Sequence, residues 1–138
     1  MARRYNVDLY FWGYRQYLDA SGIHLRSYRF NTVSGEVEAL PDLPDTPGKL
    51  GITANRIGDI IYVCGGYHVF AGGNEITNDK VHRFNTQTNS WMSYAPVIPV
   101  ATDDQEQSVW RDSLLYLVTG WKNTANIQHC QIFDPANN

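Results

Sequence analysis

Three stretches of this chain share one pattern and recur at an almost fixed spacing. They are Asp8-Leu-Tyr-Phe-Trp-Gly-Tyr14, Ile61-Tyr-Val-Cys-Gly-Gly-Tyr67 and Leu115-Tyr-Leu-Val-Thr-Gly-Trp121, each an apolar run closed by glycine and an aromatic residue. Gly13 to Gly66 is 53 residues and Gly66 to Gly120 is 54. A second series keeps step with the first: Tyr28-Arg-Phe-Asn-Thr32, His82-Arg-Phe-Asn-Thr86 and Gln131-Ile-Phe-Asp-Pro135. Phe30 to Phe84 is 54 residues and Phe84 to Phe133 is 49. Two marker series in phase mean a chain built of repeats of roughly 50 residues. A unit of that length buries its faces only by stacking on its neighbours.

The repeat is made of strands. Ile60–Cys64 and Leu114–Val118 are short, apolar and rich in β-branched or aromatic residues, which favours strands over helix. Their unbroken apolarity predicts that both faces are covered. The segments ending at Phe30, Phe84 and Phe133 read as strands that stop at a turn. Asn31, Asn85 and Asp134 supply the turn chemistry, because a short polar side chain can bond the backbone just ahead of it. Val37 and Trp91 stand seven residues past their Phe and open a further strand. A fourth strand precedes each glycine-ended run, near Gly51–Arg56 and Gln107–Trp110. Prolines follow at Pro41, Pro44, Pro47, Pro96 and Pro99, where edge strands end. Thr102 and Gln105 have capping-box spacing, but no apolar stripe follows them, and the period calls for loop and strand there.

Four short strands per repeat with these markers resemble kelch repeats, and the resemblance covers nearly the whole chain. Repeat two matches best, with Gly65-Gly66, Phe84 where the family usually has Tyr, and Trp91 at the expected spacing. Repeat three shows the aromatic-Asp-Pro turn at Phe133. It has Thr119-Gly120 in place of the glycine pair and ends before its Trp. Repeat one has Trp12-Gly13 instead of the pair and Val37 instead of Trp. The resemblance implies an all-β fold, a β-propeller with one four-stranded antiparallel blade per repeat. It gives Gly13, Gly65, Gly66, Phe84, Trp91, Gly120 and Phe133 structural work. Trp91→Ala is expected to cost about 3–5 kcal/mol if the ring is buried.

The expected organisation is one partial propeller over residues 1–138, with repeats at 1–47, 48–100 and 101–138. That is about ten strands, or two and a half blades, whereas a closed ring needs roughly four to eight. Apolar faces would stand in water. The chain is therefore expected to complete its ring with further copies of itself or with the missing blades of a parent chain.

Composition narrows the partners. Eleven Lys and Arg against fourteen Asp and Glu leave a net charge of −3, with no dense basic patch for nucleic acid or an anionic membrane. No apolar run is long enough to span a bilayer, and no signal peptide is read at the start; the compartment stays open, with a cytoplasmic location favoured over a secreted parent. Cys64 and Cys130 lack disulfide-framework or zinc spacing and read as small apolar fillers on strands.

In the kelch family, partners and small ligands meet loops at one mouth of the ring. Here those loops are Tyr14–Gly22, Tyr67–Asp79 and Trp121–Asn126. Their binding candidates are Arg15, Tyr17, Tyr67, His68, Glu75, Trp121 and Lys122, with Phe70, Asn74 and Asn123 beside them. Flat rings give area at low entropy cost, and polar groups give direction. The loops between blades are acidic (Asp42, Asp45, Asp103, Asp104 and Glu106); the Asp103-Asp104 pair could attract a cation or a basic partner, but adjacent carboxylates without ligand spacing read as a solvated turn. His82 and His129 are placed on third strands, without a second ligand at metal-binding spacing. No catalytic motif, cofactor site or metal site is read, and the copper ligands of galactose oxidase, which shares this fold, find no match. The favoured reading is a non-catalytic scaffold for a protein or peptide. The alternatives are a sugar binder, or a sugar-isomerising enzyme like the sialic-acid mutarotases, and a fragment with no activity of its own.

Overall fold

A computed structural model describes residues 8–11 and 23–137. Among them every regular element is a strand, and every pairing is antiparallel. No helix is long and apolar enough to cross a membrane.

Three sheets repeat one plan. In blade one, β1 (Asp8–Phe11), β2 (Ser27–Asn31) and β3 (Val37–Leu40) pair in that order. Blade two contains β4 (Leu50–Ile57), β5 (Ile60–Val69), β7 (Val81–Asn85) and β8 (Ser90–Trp91), with β6 (Glu75–Thr77) added at the far end of β5. Blade three contains β9 (Glu106–Trp110), β10 (Leu114–Val118) and β13 (Cys130–Phe133). A small hairpin, β11 (Trp121–Lys122) with β12 (Ala125–Asn126), rises from it.

The turn residues act as their chemistry requires. The Asn31 side-chain oxygen accepts from the Val33 and Ser34 amides at 2.9 and 3.0 Å. Asn85 does the same for Gln87 and Thr88 at 2.8 and 3.1 Å, and Asp134 accepts from Ala136 at 2.9 Å. One side-chain-to-backbone device thus ends the third strand in all three repeats.

The sequence pattern predicts that the glycine pair closes its strand, but β5 runs on through it. Strand β5 pairs with β7 as far as Cys64↔Val81, then with β6 from Tyr67↔Thr77 onward. Gly65 and Gly66 lie between, at φ 61° and 85°. A Cβ on Gly65 would sit 2.1 Å from the Thr102 carbonyl oxygen, and one on Gly66 2.4 Å from Ile52. The pair bends the strand past its neighbours and sends it on as an arm.

The core is two clusters, one on each side of blade two. Leu40, Ile61, Val63 and Phe84 join it to blade one, with Trp91 against them. The Phe84 and Trp91 rings lie 5.1 Å apart, and the Trp91 indole N–H donates to the Pro41 carbonyl at 2.9 Å. Trp91 is only half-buried, so its truncation should cost less than the ~3–5 kcal/mol of an enclosed ring. On the other side Tyr62, Cys64 and Val81 meet Ile98, Leu115, Leu117 and Phe133.

Three expectations need correction. Ile61–Cys64 is buried on both faces, but β10 alternates: Leu115 and Leu117 are buried, while Leu114 and Tyr116 are half-buried and Val118 exposed. Blade two is sandwiched; among the described residues, blade three is covered on one side only. Cys64 is the expected filler, its thiol pushed up to about 12 by burial, whereas Cys130 is exposed. His129 lies just before β13 rather than on it.

Candidate functional site

Two arms stand at one end of the sheets. The first is the β5–β6 hairpin of blade two, the second the β11–β12 hairpin of blade three, so the anticipated mouth loops at Tyr67–Asp79 and Trp121–Asn126 are largely hairpins. The loop between the blades ties them together. The Asp103 amide donates to the Trp121 carbonyl at 2.9 Å, and the Trp121 amide donates back at 2.7 Å. The Thr77 hydroxyl donates to Asp103 Oδ2 at 2.8 Å and accepts from the Asn123 amide at 2.9 Å. Gly120, at φ 120°, permits this approach: a Cβ there would lie 2.5 Å from the Thr102 hydroxyl oxygen.

Between the arms is a cleft of about 290 Å³. Tyr67 and Trp121 supply aromatic walls; Glu75, Asp103 and Asp104 supply carboxylates; Thr77 and Asn123 complete it. A hollow of about 420 Å³ continues past Asp104 and Trp121 to Asn126 and Ile127. Among the described residues no cationic side chain lines either space. Asp103 is not the solvated turn residue expected, being only 2% exposed. Burial pushes its carboxyl above the usual range; the Thr77 hydrogen bond opposes this, and the charges of Asp104 and Glu75 add to it.

Of the sequence candidates, Tyr67, Glu75 and Trp121 come together here. Lys122 is exposed on β11 and does not line the cleft. Arg15, Tyr17 and Gly13 lie outside the described residues. His68 turns inward and is 7% exposed. Its Nδ1 lies 2.8 Å from the Gly48 carbonyl, which can only accept, so Nδ1 donates. Its Nε2 then accepts from the Asn78 amide at 3.0 Å.

His68 borders a buried charge cluster that local sequence reasoning missed. Asp45, one of the acids of the loop between blades, is 5% exposed. It accepts from His82 Nε2 at 2.9 Å, from Lys49 Nζ at 3.0 Å and from Lys80 Nζ at 3.1 Å. Burial alone would raise the Asp45 carboxyl, but the His82 bond and the two ammonium groups hold it well below the usual range. Lys49 has no exposed surface and also reaches Asn78 at 3.3 Å; burial lowers its pKa and Asp45 opposes the shift. This cluster, with Asp45, Lys49 and His82 buried and Lys80 at its open edge, ties the loop after blade one to the third strand of blade two. Among the described residues no group of three or more His, Cys, Asp or Glu is placed to hold a metal ion.

Comparison with known proteins fits this geometry. The Kelch motif matches residues 50–97, from β4 past β8. An F-box/kelch-repeat protein of Arabidopsis thaliana is 31% identical over 97 residues, which are 70% of this chain and 22% of that protein. The chain belongs to the kelch-repeat family. The solved structure of YjhT matches with a TM-score of 0.62 at 23% identity, over 72% of this chain and 29% of that one. At that identity the likeness is one of fold, and it places the kelch repeats in propeller blades. The chain spans less than a third of the length of either relative.

Proposed function

We propose that this chain is a kelch-type interaction scaffold that engages a protein or peptide segment at the cleft between its two arms. The observation that carries this reading is the cleft's composition: among the described residues, two aromatic faces and three carboxylates converge on one space. That chemistry suits a lysine or arginine side chain, held by charge-assisted hydrogen bonds and by a ring face. Both rings follow the glycine marker of their repeat, so the fold presents them from equivalent places on successive blades. The scaffold completes its propeller with further copies of itself or with further blades of a parent chain, since a closed ring needs roughly four to eight blades.

Calorimetric or NMR titration with short Lys- and Arg-containing peptides tests the cleft. Binding should weaken at least tenfold in Trp121→Ala and in Asp104→Asn. It should weaken with added salt, because the partners are opposite charges at the surface. A Trp121 ring beside carboxylate and amide acceptors also suits a sugar. Saturation transfer with a sugar panel covers that second reading, and saturable sugar binding lost in Trp121→Ala, without peptide binding, would replace the first.

A further inference from the structure

We infer that the group held between the arms is a lysine ammonium of a partner protein rather than an arginine guanidinium, and that Thr77 sets this choice. The inference rests on the cationic reading of the cleft and narrows it to one side chain.

Asp103 is 2% exposed, yet it lines the cleft. Its Oδ2 accepts from the Thr77 hydroxyl at 2.8 Å. Among the described residues nothing donates to Oδ1, so Asp103 offers the cleft one oxygen. The Thr77 hydroxyl gives its only proton to that bond and accepts from the Asn123 amide at 2.9 Å, which holds it in place. Asp104 is restrained in a similar way. Its backbone stands at φ 49°, and its amide donates to the Gly51 carbonyl at 3.0 Å. Its Oδ1 is turned against Gly51, where a Cβ would lie 2.7 Å from that oxygen, so Oδ2 is the one left for a ligand. Glu75 brings the third carboxylate from β6, on the arm of blade two. The charges of Asp104 and Glu75 both reach Asp103, so the three acids surround one volume. Beside them the Trp121 indole N–H donates to the Asn123 carbonyl at 3.0 Å, and the Trp121 and Asp103 backbones pair in both directions. The ring is thereby fixed and has its face to give.

Two cations compete for such a site. A guanidinium is a planar fork that binds best where one carboxylate turns both oxygens to it; an ammonium is a compact charge with three N–H donors pointing apart. Asp103 and Asp104 each present a single oxygen, and Glu75 approaches from a different element. That arrangement matches three divergent donors. Glu75, exposed on its arm, keeps two oxygens for a fork, but a guanidinium seated there leaves the buried Asp103 oxygen unmet, at a cost in free energy. The Trp121 face covers the lysine stem and its charge. Thr77 decides between the two cations, because without its hydroxyl Asp103 regains a second oxygen and can receive the fork.

Two end-blocked pentapeptides, Ala-Ala-Lys-Ala-Ala and Ala-Ala-Arg-Ala-Ala, titrated into the 138-residue chain at low salt and followed by NMR, test this. The lysine peptide should bind about tenfold tighter than the arginine peptide. Thr77→Val, near-isosteric but without the hydroxyl, should bring the two to similar affinity, and Thr77→Ser should restore the preference. Circular dichroism confirms that each variant keeps its strands, and the ratio in the parent chain decides the inference even where a variant does not. An arginine peptide bound as tightly as the lysine peptide overturns the inference while the cationic cleft stands. A lysine preference that survives Thr77→Val overturns the role of Thr77. Binding of neither peptide overturns the proposed function itself, and this inference with it.

Discussion

The two junctions that flank blade two solve one problem in different ways. Both must hold a wedge-shaped sheet against its neighbour, and both send a loop with a buried carboxylate across the gap. At the first junction Asp45 meets two ammonium groups and an imidazole, and the carboxyl is driven firmly to its charged form. At the second, Asp103 meets a hydroxyl and two further acids, and its carboxyl is pushed toward the neutral form. The second junction holds instead through apolar area, together with amide bonds such as Gln131 to the Val100 amide and carbonyl at 2.8 and 2.9 Å. The loop between blades thus serves as an internal tie in one place and as the wall of an open cleft in the other. A charge compensated within the fold stabilises a junction; one left uncompensated at a mouth is available to a partner.

Asp45→Ala should break this contrast with the largest effect. It leaves Lys49 charged and without its carboxylate in a site with no solvent access. Removing one member of a buried pair costs about 3–5 kcal/mol. Replacing both members with apolar residues removes the stranded charge, so Asp45→Ala/Lys49→Met should recover most of the loss. Urea unfolding of the two variants beside the parent chain measures both. A single variant as stable as the parent would mean that Lys49 finds water or another acceptor, and the first junction would then not be a charge-held one.

Acid should sharpen the same difference. Burial lowers the pKa of His82 below its ordinary 6.5, with Asp45 opposing the shift. The unfolded chain therefore takes up the proton first as pH falls. The stability due to a neutral His82 is fully present above about 6.5 and is lost as pH falls toward the lower folded value. Asp45 adds nothing in that window, because its own loss lies far more acid. The melting temperature should drop by a few degrees between neutral pH and about pH 5, and His82→Gln should flatten that slope. An unchanged slope in the variant would assign the acid sensitivity elsewhere.

How much of this was legible in the chain follows from the range of each interaction. Turns at Asn31, Asn85 and Asp134 are closed by a side chain bonding two or three residues ahead, so a local pattern suffices. The blade plan was equally plain, because the markers repeat in phase. Tyr67 and Trp121 could be picked out because each follows a glycine marker. Thr77 carried no such mark; its role depends on Asn123, 46 residues away. Asp45 and His82 are 37 residues apart and meet only because a loop folds over the third strand of the next repeat. Lys49, beside Gly48 in a proline-rich loop, carries no local mark of burial, and only the packed loop reveals it as buried. The glycine pair was visible, but its effect on β5 depends on which strand pairs beyond it.

The smallest effect concerns Asp103 and bears most directly on the cleft. Its folded pKa is raised above the ordinary 3.8, so the unfolded chain ionises first as pH rises. The native state then loses stability from about pH 3.8 upward, until the folded group has ionised too. Asp103→Asn lacks this penalty and keeps a side-chain oxygen to accept from Thr77, and the backbone pairing with Trp121 does not involve the side chain. The variant should therefore melt a degree or two higher than the parent at neutral pH and match it below about pH 3.8. A gain that persisted in acid would come from something other than charge. Paired with weaker peptide binding by the same variant, a gain confined to neutral pH would mean that this carboxylate is kept at a cost to the fold for the sake of the mouth, the usual trade between stability and a binding site.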